Sequence, residues 1–237
     1  MSNPSLNSNV RLSMAEGNTD HQITKEIEEL IDCLRRELVN HLGAIAPGSH
    51  ERLIRLYEVW RQVSLRRTID LADGALLFFE KERLVPACTL TRSVIETVAV
   101  QFYIYKKLIA YTKSADISLF HKLLMSAVFG RRDTQWPQQS IQVLTAIDHL
   151  DKQFTGFRSE YDRLCEYAHP NLGGGYGTYV RSEGDDMQSH FGSNPNGLNM
   201  GPWGQIELQR GLLVAKEINN LLRLFHPRFV AMINEGT

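Results

Sequence analysis

VIETVAVQFYIYKKLIAY, residues 94–111, is the stretch whose reading decides the fold. On a helical wheel it is apolar on almost every face, whereas a helix lying on a protein surface carries one apolar stripe. Such a helix has to be enclosed by others, so the segment predicts the central helix of a bundle. Pro86 suits the first turn of that helix, and the pattern continues to about Ser114. Val94, Ile95, Val98 and Phe102 are expected to be almost fully buried.

The flanking segments supply the enclosing helices. Ile23, Ile27, Leu30, Ile31, Leu34, Leu38 and Leu42 recur at three- and four-residue steps, the period of an amphipathic helix. Thr19 or Asp20 can cap it, and Gly43, Pro47 and Gly48 end it. A second long helix is predicted from about Ser49 to Arg83, with Gly74 as its weak point and a candidate kink. Shorter helices follow at Ile117–Phe129, Ser140–Phe154 and roughly Arg158–Ala168. The last, Gln205–Phe225, is expected to stop at Pro227. The fold class is therefore all-α, a single bundle of six to seven helices.

Two regions depart from this pattern. Residues 1–19 have too few large apolar side chains to repay ordering and read as a disordered tail, which leaves 20–237 as the helical domain. Residues 172–204 hold nine of the seventeen glycines together with Pro195 and Pro202, and no helix is assigned there. GTYVRS (177–182) and MQSHF (187–191), separated by EGDD, can form a small hairpin in this excursion. An irregular segment of that length within a domain is usually functional or mobile.

Composition excludes several classes. In 237 residues, 26 Lys and Arg oppose 27 Asp and Glu, a net charge of -1, so bulk charge alone would not hold the chain on nucleic acid or anionic lipid. No apolar run reaches the length of about 20 residues that spans a bilayer. The Asn- and Ser-rich N-terminus has no apolar core and does not read as a signal peptide. Cys33, Cys88 and Cys165 are odd in number, widely spaced and form no CxxC, which points to a reducing cytoplasm rather than a disulfide framework or zinc site. Charge is nonetheless uneven. Residues 101–132 carry Lys106, Lys107, Lys113, Lys122, Arg131 and Arg132 against Asp116 alone, either a solvated face or a phosphate footprint.

Chemistry concentrates in two places. Arg92 and Glu96 sit four residues apart on the most apolar helix, where charges seldom enter unpaired. They form either an intrahelical ion pair that fixes the bundle's register or one wall of a polar pocket, with Arg92 binding an anion and Glu96 orienting a base. Both are expected to be largely buried and directed toward the helix that carries His169. In SEYDRLCEYAHPN, residues 159–171, Pro170 cannot extend the helix, so His169 falls at its end, where the helix dipole favours positive charge. Asp162, Glu166 and His169 share a face by spacing, and Arg163 lies about a third of a turn from His169. The bland alternative is a capping histidine with solvated neighbours. Cys165, four residues before His169, reads as a packed thiol. Glu166 and His169 form a single ExxH, short of the paired set of a di-iron site. LGGGYG lacks the Lys-Ser/Thr of a phosphate loop and follows a helix rather than a strand. No metal and no cofactor is expected.

The run Arg163–Leu164–Cys165–Glu166–Tyr167–Ala168–His169 has the Arg–(four to six residues)–His arrangement of HEPN domains. With TRSVIET (91–97) and YDRLCEYAHPN (161–171), the chain resembles those all-α bundles and a bacterial helical family grouped with them. The resemblance implies an RNA-directed protein, a metal-independent endoribonuclease of toxin or phage-defence type or a relative that only binds. It further implies a homodimer in which the motif meets its symmetry mate, with an antitoxin or other protein as a further partner. The implied site gathers His169, Arg163, Glu166, Arg92 and Glu96, with Tyr161, Tyr167 and Asn171 nearby and Lys106 and Lys107 as RNA contacts. His169 would act as acid or base, and Arg163 or Arg92 would stabilise the phosphorane. The rival expectation is a non-catalytic helical interaction module whose buried charges are structural.

Overall fold

Helix α3, Leu84–Thr112, is the axis around which the other elements are arranged. In the computed structural model, which describes residues 20–44, 51–112, 116–131, 137–183, 188–197 and 201–235, it is contacted by α2 (Glu51–Glu80), α4 (Ile117–Phe129), α5 (Val143–Asp151), α6 (Phe157–Ala168) and α8 (Gly201–Glu235). Val94, Ile95 and Val98 are fully buried and Phe102 is 1% exposed, as a helix apolar all round requires. Helix α1 (Asp20–Arg35) closes the bundle against α8 and α2. The all-α class is thus what the structure has. No helix among the described residues is long and apolar enough to cross a membrane.

Three boundaries differ from the sequence reading. Helix α1 ends at Arg35 rather than near Leu42, because Gln62 of α2 captures its outgoing backbone. The Gln62 amide accepts from the Val39 N–H at 3.0 Å and donates to the Glu37 carbonyl at 3.1 Å, and Arg66 takes the Val39 carbonyl. Helix α5 spans only Val143–Asp151, shorter than the expected Ser140–Phe154. Helix α8 starts earlier, at Gly201, and runs through Pro227 to Glu235. Proline removes one ladder hydrogen bond, but Phe225, Phe229 and Ile233 lie in the core on either side of it, and their burial outweighs the loss. Helix α2 continues unbroken through Gly74, where Leu90 of α3 approaches so closely that a Cβ would meet it at 3.0 Å. The residues read as a disordered tail (1–19), the stop at Pro47–Gly48, and Lys113 and Arg132 of the basic run lie outside the described residues.

The Gly-rich excursion is more structured than the sequence suggested. It opens with a π-helical turn, Leu172–Tyr176, and one further helical turn α7 (Gly177–Tyr179). The expected hairpin follows, β1 (Val180–Glu183) antiparallel to β2 (Gln188–Phe191), with Val180 opposite Phe191 and Glu183 opposite Gln188.

Truncating Phe102 to Ala should cost about 3–5 kcal/mol, the range for a large aromatic removed from a filled core. Chemical denaturation checks this, and a midpoint that scarcely moves contradicts the central placement of α3.

Candidate functional site

The enclosure of α3 is incomplete beside Arg92 and Glu96. There the start of α5 and the end of α6 stand apart and leave a cleft of about 590 Å³. Arg92 and Glu96 form its α3 wall, Tyr161, Cys165 and His169 its α6 wall, and Gln139, Ser140, Gln142, Val143 and Leu144 the third side. Pro170 explains why α6 ends at His169. His169 is the C-cap of α6, with φ -93° and ψ 147°, and its N–H still donates to the Cys165 carbonyl at 3.0 Å. Four residues after Cys165 and eight after Tyr161, it stands on their side of α6, which lines the cleft, and its extended ψ turns the following chain away from the helix. Asp162 and Glu166, read as sharing its face, are exposed and do not line the cleft.

Across the cleft from α3 to α6, three side chains form a chain of contacts. Arg92 Nε lies 3.3 Å from Glu96 Oε1, and the same oxygen accepts a hydrogen bond from the Tyr161 hydroxyl at 3.0 Å. Burial, followed by the neighbouring Glu96 charge, raises the Tyr161 phenol above its ordinary range, so it is protonated and donating at neutral pH. The pair points toward α6 and is largely, though not fully, buried, as expected. Each side chain keeps 23% of its surface, because the cleft rather than the core receives it. That exposure matters energetically. Removing two charges fully from water costs several kcal/mol per ion, and an open cleft avoids most of the penalty. Nor is the Arg92 contact a hydrogen bond; Nε has none, although it is an interior atom.

The remaining sequence candidates lie elsewhere. Arg163 faces the opposite side of α6, its guanidinium carbon 4.0 Å above the Trp203 ring centroid, and Trp203 Nε1 donates to Glu160 at 2.8 Å. Tyr167 packs on the same indole at 6.0 Å between ring centroids. This layer joins α6 to the first turn of α8. Glu166 is exposed and accepts from Asn171 Nδ2 at 2.7 Å, while Asn171 Oδ1 accepts from the N–H groups of Gly173 and Gly174. Glu166 and Asn171 therefore shape the turn after His169. Lys106 and Lys107 lie further along α3, over the rings of Phe102 and Tyr103. Of the five residues expected to be catalytic, three share the cleft: Arg92, Glu96 and His169.

Sequence reasoning missed the third wall; Cys165, half-buried, packs against the core as expected and also lines the cleft. Pro137 marks a break before α5, but no local pattern places residues 139–144 beside Arg92. Among the described residues, no three His, Cys, Asp or Glu side chains cluster as metal ligands.

The excursion that starts at His169 is firmly built at its base. Thr178, fully buried, donates to the Gly173 carbonyl at 2.6 Å, and Asn196 Nδ2 bridges the carbonyls of Gly177 and Val180 at 2.9 and 2.7 Å. At Gly174 only a hydrogen fits, since a Cβ would fall 2.2 Å from the His169 carbonyl. From this base project Leu172, 74% exposed, Tyr176 and Phe191, 80% exposed.

A double-mutant cycle tests the split of the two arginines. Arg163→Ala and Trp203→Ala should show a coupling of about 0.5–1 kcal/mol in denaturation, the size of an exposed cation–π contact, and Arg92→Ala with Trp203→Ala none. Coupling of Arg92 to Trp203 would contradict the assignment. Compared with protein-family models, curated proteins and solved structures, the chain has no significant match to any of the three.

Proposed function

We propose that the cleft binds an RNA phosphodiester and that the protein is a HEPN-like, metal-independent endoribonuclease. The observation that carries this reading is the presence of one imidazole, His169, and one guanidinium, Arg92, on facing walls of a single open cleft. Those are the groups phosphodiester transfer needs. The 2′-oxygen attacks phosphorus as its proton passes to a base, and the bond to the 5′-oxygen breaks as that oxygen takes a proton from an acid. Arg92 supplies donors to the phosphorane oxygens. The start of α5 at the cleft wall, which has no side-chain cap, adds a helix end that favours anions. Arg163, which the resemblance offered for the same task, is engaged with Trp203, so Arg92 takes the role.

One imidazole serves as acid or base, and the second group comes most simply from a second copy. A two-fold dimer would bring two His169 residues together. The apolar side chains Leu172, Tyr176 and Phe191, held out by a rigid base directly after His169, are the surface such a dimer would cover. The interaction-module reading keeps one observation in its favour: Arg92 is paired internally with Glu96. In that reading the same apolar surface binds another protein, such as an antitoxin.

Incubating purified protein with labelled single-stranded RNA in EDTA separates the two. The nuclease reading expects cleavage that leaves 2′,3′-cyclic phosphate ends and falls by at least about 10²-fold in His169→Ala. Sedimentation should give twice the chain mass, reduced to one chain by Phe191→Asp. Cleavage that survives His169→Ala unchanged, or none at all from a folded wild type, overturns the nuclease and leaves the interaction module.

A further inference from the structure

Glu96 Oε1 is shared. It faces Arg92 Nε at 3.3 Å and accepts the Tyr161 hydroxyl at 3.0 Å. A carboxylate next to a guanidinium is otherwise drawn into a bidentate clamp, two parallel N–H···O bonds that are the strongest arrangement open to the pair. Here the clamp is absent. The contact at 3.3 Å is through Nε, and it is too poorly aligned to be a hydrogen bond. The Tyr161 hydroxyl tethers the same oxygen from the opposite helix, and Tyr161, 7% exposed, is fixed in the packing of α6 against α3.

We propose that Tyr161 is a positioning residue that holds Glu96 short of clamping Arg92, and so keeps the guanidinium's outer edge available to an anionic ligand such as a phosphodiester. The inference rests on the reading of the cleft as an RNA site. It deepens that reading by making the Arg92–Glu96 pair an adjustable gate rather than a fixed structural bridge. With the hydroxyl in place, Glu96 steadies Arg92 through the Nε side and leaves the Nη edge for a ligand. Without the hydroxyl, Glu96 is free to turn both oxygens on the guanidinium, which neutralises its charge and occupies the donors a phosphate would take. Tyr161 itself need not touch the ligand.

The gate makes a signed prediction for paired variants. The probe is a fluorescein-labelled single-stranded 2′-deoxy oligonucleotide, which carries phosphodiesters but no attacking hydroxyl, so anisotropy reads binding without cleavage. Tyr161→Phe, which deletes one oxygen and preserves the ring, should weaken binding by about tenfold, the size of one charge-assisted contact. Glu96→Gln, unable to clamp, should bind at least as tightly as wild type. The double variant should recover the affinity of Glu96→Gln to within about threefold. A merely structural role for Tyr161 predicts no such rescue. An unchanged Kd in Tyr161→Phe, or a double variant as weak as Tyr161→Phe, overturns the gate. If His169→Ala abolishes RNA cleavage while either of those results holds, the gate fails and the cleft reading stands. A folded wild type that neither binds the probe nor cleaves RNA overturns both.

Discussion

A helix that is apolar on nearly every face cannot be left against water, and α3 imposes that condition on the whole chain. Leaving even a few of Val94, Ile95, Val98, Phe102, Ile104 and Leu108 exposed would forfeit about 1.5–3 kcal/mol each. Helices α2, α4, α5, α6 and α8 therefore gather around α3, and α1 closes the outside. The same helix carries Arg92 and Glu96, which the enclosure cannot cover without stripping two charges of water. The surrounding layer opens there, between the start of α5 and the end of α6. The cleft is thus where the demands of burial and of hydration meet on one helix.

Helix α6 answers both demands with two faces. Glu160, Arg163 and Tyr167 pack toward Trp203 and tie α6 to the first turn of α8. Tyr161, Cys165 and His169 turn to the cleft. The second face is the i, i+4, i+8 stripe of α6, and Pro170 ends the helix at its last member. Asn171 and Glu166 then stabilise the chain reversal, and Gly174 permits the close passage of the turn beneath the His169 carbonyl. Glu166 and Asn171 hold the turn after the histidine, and Arg163 holds the layer behind it.

How much of this was legible follows from the range of the forces involved. The period of Ile23, Ile27, Leu30 and Leu34 and the uniform apolarity of 94–111 are local signals of burial, and they named the helices and the central one. The ends were less legible where distant groups decide them. Gln62 ends α1 from another helix, and Phe229 and Ile233 carry α8 past Pro227 by packing that no local rule contains. The Arg92–Glu96 spacing and the break at Pro170 found one half of the cleft each. That Arg92 rather than Arg163 faces His169 depends on where Trp203 sits, far along the chain. Gln142 and its neighbours reach the cleft only through tertiary packing, so no sequence pattern could name them.

The central claim is that Arg92 and His169 act on one phosphate group, and ligand titration followed by NMR tests it most directly. Uridine 3′-monophosphate added to protein carrying 13C-labelled histidine should shift the imidazole resonance of His169, identified by its absence in His169→Ala. The account predicts that this shift disappears in Arg92→Ala and persists in Arg163→Ala. A shift that persists in Arg92→Ala and disappears in Arg163→Ala would contradict it, as would a His169 resonance that ignores the nucleotide altogether.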